Sequence, residues 1–319
     1  MARMGVYDQI KKAFQVEYPI SVLFEAPNVE RCADLIRAAV GDTGAKRPVV
    51  AESQERRYKH LVPMHPKDPG VKTPFFLIAG MFGNVLNLRH LAHLIGTERP
   101  FYGVQARGLY GDDLPHESFT EMAGDYLAEI RSVQPHGPYL LGGFSGGGIA
   151  AYEITQQLLE EGETVSLLVL LDTPLPQSPP LSATDKTRIH WQRLKRQGPS
   201  YLTNWARDRI AWELKKRNGK HENGQGEMHP TEFRSEAIKD AFYRALPKYE
   251  VQRYAGTITL FRPKLDSAYV LGPGRILNSS REFVYPDNGW GPFADRVEVH
   301  EVPGDHDSMV LEPNVRVMA

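Results

Sequence analysis

From Pro74 onward the chain alternates between short runs that are apolar at nearly every position and longer stretches that are apolar only every third or fourth residue. Phe75–Ile78, residues 100–104, residues 139–141 and Val165–Leu171 are of the first kind, which predicts strands buried on both faces. Phe119–Val133 is of the second kind: Phe119, Met122, Ala123, Tyr126, Leu127, Ile130 and Val133 recur on one helical face. A helix through Leu86, Leu88, Leu91 and Leu94 is predicted in the same way, and an alanine-rich one follows the glycines after residue 144. Strands alternating with helices predict the α/β class, with a mostly parallel central sheet flanked by helices and right-handed crossovers. The rhythm stops over about residues 176–254. Helical stretches at 186–197, 201–217 and 232–245 and a polar loop at 218–229 stand there instead, and strands resume at 257–261 and 297–302. An insertion at the carboxyl edge of a parallel sheet is expected to form a helical lid.

Ahead of Pro74 the pattern is weaker. Residues 44–72 are charged and proline-bearing with little apolar period, which predicts a linker. Residues 6–14 and 29–40 have helical spacing, but such short helices bury little.

Net charge changes the picture only by exclusion. At −1, the chain is not a generally basic nucleic-acid binder. No apolar run approaches the roughly 18 residues of a membrane span, and residues 1–4 open no secretory segment, so a cytoplasmic protein is expected. The single Cys32 allows neither an internal disulfide nor a cysteine metal cluster, and no metal site is expected.

The candidate chemistry sits where the third apolar run ends, in Gly143-Phe144-Ser145-Gly146-Gly147. A strand that turns sharply into a helix crowds the backbone around its central residue, so glycines two positions either side remove clashing side chains. Such a G-x-S-x-G turn presents Ser145 at a helix N-terminus, where unpartnered N–H groups favour a developing anion. A serine hydroxyl needs a base within hydrogen-bond reach, itself held by a third group. His306, in Gly304-Asp305-His306 after the last strand, is the expected base, because it reaches the same sheet edge and completes the order serine, acid, histidine. Two acids compete. Asp172 ends an apolar strand and is fixed at the rim, whereas Asp266 lies in a charged loop, and Asp172 is preferred. The backbone N–H groups of Gly146 and of Met81, in the loop after Phe75–Ile78, are the expected oxyanion donors.

Taken together, FFLIAGMFGN, PFYGVQARGLYGDDLPH, GPYLLGGFSGGGIAAYE, LLVLLDTP and VPGDHDSMV resemble the terminal thioesterase domains of polyketide synthases and nonribosomal peptide synthetases. The resemblance covers roughly residues 74–312, apart from the lid. It implies the α/β-hydrolase fold, a Ser145, Asp172 and His306 triad, and an acyl chain delivered as a thioester on the phosphopantetheine of a carrier domain. No cofactor bound by the thioesterase itself is implied. Residues FQVEYPISVLFEAPNVERCADLIRAAVG similarly resemble the end of an acyl or peptidyl carrier protein. The serine that carries phosphopantetheine in that family would fall just ahead of Met1. Residues 1–43 are therefore expected to be a truncated carrier remnant, loosely held, followed by the linker at 44–72 and the thioesterase at 73–319. Acyl groups would then be offered in trans. A homodimer is compatible with the sequence, and neither nucleic acid nor membrane is an expected partner.

Residues 186–220 hold eleven Lys or Arg against Asp208 and Glu213, a local excess that reads either as a face steering an acidic carrier or as a solvated helical surface. Trp191, Trp205 and Trp212 are expected in the lid core. The competing expectations are a free-standing serine esterase or lipase, and a catalytically dead α/β-hydrolase used as a binding module.

Overall fold

The computed structural model describes residues 58–65, 72–109, 113–176, 182–198, 201, 235–265, 267–272, 274–278 and 284–319, together with Glu30, Ala33 and Arg37. The carrier-like stretch apart from those three residues, Cys32, Asp266, Trp205 and Trp212 lie outside the described residues. The chain divides into two compact units, one drawn from Met1–Pro176, Phe233–Lys264 and Trp290–Ala319, the other from Gln177–Glu232 and Leu265–Gly289.

The larger unit is a seven-stranded sheet. In chain order its elements are β1 (Leu61–Pro63), β2 (Phe75–Ile78), α1 (Arg89–Ile95), β3 (Phe101–Val104), α2 (Phe119–Val133), β4 (Tyr139–Phe144), α3 (Gly147–Glu160) and β5 (Val165–Leu171). The remaining elements of the unit are a helix at Ser235–Ala245, β6 at Tyr254–Pro263 and a last strand at Ala294–Val302. Strand order is β1-β3-β2-β4-β5-β6-last, and only β1 runs antiparallel to its neighbour. The apolar runs became these strands because both their faces are covered. Phe76, Ile78, Leu141, Leu168 and Leu170 face the side of α2 and α3, while Phe75, Leu77, Val169 and Leu171 face the side of α1.

Helix α3, which follows the Gly143–Gly147 turn, is pinned by Tyr152. The Tyr152 hydroxyl donates to Gln252 O at 2.6 Å and to Phe293 O at 2.8 Å. Burial pushes that phenol up to about 12, so it stays a donor throughout the working pH range.

Two sequence expectations change here. Leu61–Pro63, inside the stretch expected to be linker, is a strand, and Leu61 and Val62 are buried. Its apolar run is too short to show a period. Its place depends on a partner distant in sequence: one Glu129 carboxylate of α2 accepts the N–H groups of Lys59, His60 and Leu61 at 2.7, 2.9 and 2.9 Å. The helix at Ser235–Ala245, expected in the lid, belongs to the sheet unit, where Ile238, Ala241, Phe242 and Ala245 are buried.

The smaller unit contains α4 (Ala183–Gln197), started by a Ser182/Asp185 capping box, and a hairpin of β7 (Ser267–Val270) and β8 (Ile276–Asn278). Its core is Ile189, Tyr269, Leu271 and Leu277, and a buried Asp185–Arg275 ion pair ties helix to hairpin. The hairpin lies beyond the insertion as read from sequence, so this unit draws on two separate stretches. Trp191 is 57% exposed, not core, and the ammonium of Lys195 lies 5.3 Å from its ring centroid. With the chain in order, the remaining labels follow as α5 for Ser235–Ala245 and β9 for Ala294–Val302.

Candidate active site

The sheet reverses its winding between β2 and β4, which are adjacent and parallel, with Ile78 opposite Gly143. Ligand sites of open α/β sheets form outside the carboxyl ends of strands at such a switch point. Two residues past this pair stand Gly80 and Ser145.

Steric exclusion shapes the elbow. A Cβ on Gly143 would lie 2.3 Å from the carbonyl carbon of Gly147, and one on Gly147 would lie 2.2 Å from Ala79 O. No side chain fits either place. Ser145 between them adopts φ 52°, a left-handed conformation unusual outside glycine, and its N–H is held by Leu171 O at 2.8 Å. Gly146 is the N-cap of α3, so its N–H has no acceptor within that helix.

Asp172 continues from β5 with φ 49° and is fully buried. Its N–H donates to Phe261 O of β6 at 2.7 Å, and the indole of Trp290 donates to the next residue, Thr173 O, at 2.9 Å. Strand β6 and the Trp290 indole thus hold the carboxylate at the rim.

His306 arrives from the turn after β9. Asp305 and Ser308 brace that turn reciprocally: Asp305 N–H donates to Ser308 Oγ at 2.9 Å, while Ser308 N–H and hydroxyl donate to Asp305 Oδ1 at 2.8 and 2.6 Å. The Ser308 hydroxyl and N–H hold the Asp305 carboxyl below the usual carboxylate range. The His306 ring stacks on Phe144, centroids 5.2 Å apart.

These elements bring three of the expected residues into one line. His306 Nδ1 is 2.7 Å from Asp172 Oδ2, and Nε2 is 2.9 Å from Ser145 Oγ. A carboxylate only accepts, so Nδ1 carries the hydrogen and Nε2 is left to accept from the serine hydroxyl. Met81 lies in the turn Gly80–Gly83, closed by Gly83 N–H to Gly80 O at 2.8 Å, directly beside the elbow.

Among the described residues, His116, Glu121 and Asp125 bring donor atoms within 4.8 Å of one another. The Arg107 guanidinium already lies 2.7 Å from Glu121 Oε1 and 3.0 Å from Asp125 Oδ2, a cation where a metal would have to sit. The His116 ring is 2.8 Å from the same Asp125 oxygen, so the cluster reads as an ion-pair network.

A parallel sheet with a strand–serine–helix turn and its acid and histidine at one edge defines an α/β-hydrolase fold. The thioesterase domain family model matches residues 73–311, and the chain belongs to that family of hydrolases. An indigoidine synthase of Dickeya dadantii (strain 3937) is 29% identical over 317 residues, 98% of this chain and 20% of its own length. A dimodular nonribosomal peptide synthase of Bacillus subtilis (strain 168) is 38% identical over 165 residues, 51% of this chain and 6% of its own length. This chain therefore spans a fifth or less of either relative. Among solved structures, a four domain nonribosomal peptide synthetase bound to AMP and glycine superposes with TM-score 0.58 at 25% identity, over 97% of this chain and 22% of its own. The NocB thioesterase domain of a nocardicin cluster shares the fold with TM-score 0.51 at 18% identity, over 81% of this chain and 94% of its own. No helix among the described residues is long and apolar enough to cross a membrane.

Proposed function

We propose that this chain is a serine thioesterase that releases a polyketide or peptide acyl chain from the phosphopantetheine of a carrier domain. The observation that carries the reading is the position of His306, 2.9 Å from Ser145 Oγ and 2.7 Å from Asp172 Oδ2. His306 takes the proton of Ser145 as Oγ bonds to the thioester carbonyl carbon, and the C–S bond then breaks as His306 returns that proton to the pantetheine sulfur. Asp172 holds the ring in the required tautomer and stabilises the imidazolium. The N–H groups of Gly146 and Met81 receive the oxyanion, each worth on the order of 3 kcal/mol in the transition state. Attack on the acyl-serine by water gives an acid, and attack by a hydroxyl or amine of the acyl chain gives a macrolactone or macrolactam. His306 again serves as base.

The thioester and its carrier come from the company the family keeps: the relatives include, by name, a polyketide synthase and a dimodular nonribosomal peptide synthase. The indigoidine synthase match extends over 98% of this chain, so the likeness to that synthase reaches beyond the thioesterase domain toward the carrier-like residues 1–43. Lys186, Arg188 and Lys195 are exposed on α4, in keeping with a basic face for an acidic carrier.

The test is intact-protein mass spectrometry of wild type and Ser145→Ala after incubation with long-chain ω-hydroxyacyl-N-acetylcysteamine thioesters. Wild type is expected to gain the acyl mass or turn the thioester over, and the variant to do neither. A product of acid mass marks hydrolysis; one lighter by water marks cyclisation. Equal behaviour of the two proteins sinks the assignment.

A further inference from the structure

The two backbone segments assigned to the oxyanion share a neighbour. Helix α5 lies across both, using Ile238 and Phe242, one turn apart on a single helical face. Ile238 rests on the Gly80–Gly83 turn: a Cβ on Gly83 would meet its Cδ1 at 3.1 Å and Cγ2 at 3.3 Å. Phe242 rests on the start of α3: a Cβ on Gly146 would meet its Cζ at 2.5 Å and Cε2 at 2.6 Å. Between these contacts Lys239 reaches Phe82 at the tip of the turn, its Nζ 5.9 Å from the ring centroid. Both apolar side chains are buried, and the Phe242 ring meets Phe119 of α2 edge-on at 5.3 Å, which fixes α5 to the core of the sheet unit. The cavity that Met81, Gly146, Ile238 and Phe242 help to line has a volume of about 20 Å³, room for roughly one water.

We propose that α5 is a clamp that sets the separation of the Met81 and Gly146 amides, with Ile238 and Phe242 as positioning residues. The inference rests on those amides serving the oxyanion. Donors act only within about 2.7–3.1 Å of the developing charge. A displacement of about 1 Å costs on the order of 100-fold in rate. The elbow meets that tolerance by backbone contact alone. The facing turn is closed by one internal hydrogen bond and one to β3's end, Ala106 N–H to Gly83 O at 2.9 Å. Its tip depends on what packs above it, and α5 touches both partners. Glycine at 83 and 146 is what lets two large side chains reach the backbone.

The full chain would carry Ile238→Ala, Phe242→Leu or Phe242→Tyr, with octanoyl-N-acetylcysteamine as substrate and hydrogen exchange followed by mass spectrometry. Ile238→Ala and Phe242→Leu are expected to lower kcat roughly 10-fold or more while KM stays within about twofold. The pH midpoint of kcat/KM stays put, because Asp172 and His306 are untouched. Exchange speeds up over residues 79–84 and not over 299–310, and Phe242→Tyr, whose hydroxyl on Cζ would press against Gly146, is expected to lower kcat in the same way. A rise in KM with kcat unchanged would make these side chains mere pocket wall, and unaltered exchange at 79–84 would also overturn the clamp. An inactive wild type would defeat the thioesterase reading alone, since exchange still decides whether α5 holds the turn.

Discussion

The turn that carries Ser145 and the turn that carries His306 meet across 2.9 Å, yet opposite means shape them. The serine turn is buried, and its course is dictated by exclusion: side chains at 143 or 147 would overlap backbone atoms. The histidine turn is largely exposed, and a polar pair, Asp305 and Ser308, draws it closed from within. Its two ends are anchored in the core, through buried Val302 at the close of β9 and through fully buried Met309 and Val310. A steric device tolerates no addition but needs no local partner. A hydrogen-bonded device accepts change in its surroundings but fails when its acceptor goes. Stability and activity should therefore separate differently at the two turns.

The largest effect should come from the residue joining them. Asp172 is buried with φ 49°, a conformation that Asn adopts as readily, so Asp172→Asn keeps the backbone. It removes the acceptor that fixes the His306 tautomer. Turnover is expected to fall on the order of 10⁴-fold, about 5.5 kcal/mol, with the thermal melt nearly unmoved. Retained activity would mean that another acid, Asp266 foremost, orients the histidine.

Next come the glycines of the two turns, which sharpen the contrast directly. A Cβ on Gly147 would sit 2.2 Å from Ala79 O, a backbone atom of the neighbouring strand's end that cannot withdraw. Gly147→Ala is expected to cost about 3 kcal/mol or more in urea unfolding, at the upper end for overpacking. At Gly304 the obstacles are side-chain ends, Asn314 Nδ2 at 2.5 Å and Ser308 Oγ at 2.7 Å, so the lasting penalty is the φ of 90°. Gly304→Ala should cost about 1–2 kcal/mol. Equal losses at the two positions would abolish the distinction.

The same contrast explains what could be read from the chain. Strands β2, β3, β4 and β5 were legible because both faces of a parallel sheet need apolar residues, which leaves a run no helix face would show. Ser145, Asp172 and His306 were legible because the glycines and the strand ends mark a geometry as much as a residue type. Strand β1 was hidden, because its three residues are specified by Glu129 far along the chain. The β7–β8 hairpin was hidden too, because its pairing depends on packing against α4. Ile238 and Phe242 showed only as a helical face, since periodicity says that a face is buried but not what lies under it.

The smallest effect tests the hydrogen-bonded turn itself. Ser308 holds the Asp305 carboxyl below its ordinary range, so the folded state prefers the ionised form. A depressed carboxyl pKa contributes its bracing above the unfolded value of about 3.9 and loses it as pH falls through the folded value. At pH 7, Asp305→Ala should speed amide exchange at Ser308 and Met309 and lower kcat roughly 10-fold, because His306 is no longer held to its line. The melting temperature should stay within about 2 °C, since an exposed turn carries little of the global stability. As pH falls below the ordinary carboxylate range the exchange difference from wild type should shrink, as protonation weakens the wild-type acceptor. Asp305→Asn retains an acceptor oxygen without the charge, and it should recover most of the rate at pH 7 while showing no such acid transition. If Asn behaves as Ala does, the charge and not the geometry of the hydrogen bonds shapes this turn, and the contrast with the serine turn must be redrawn as one between sterics and electrostatics.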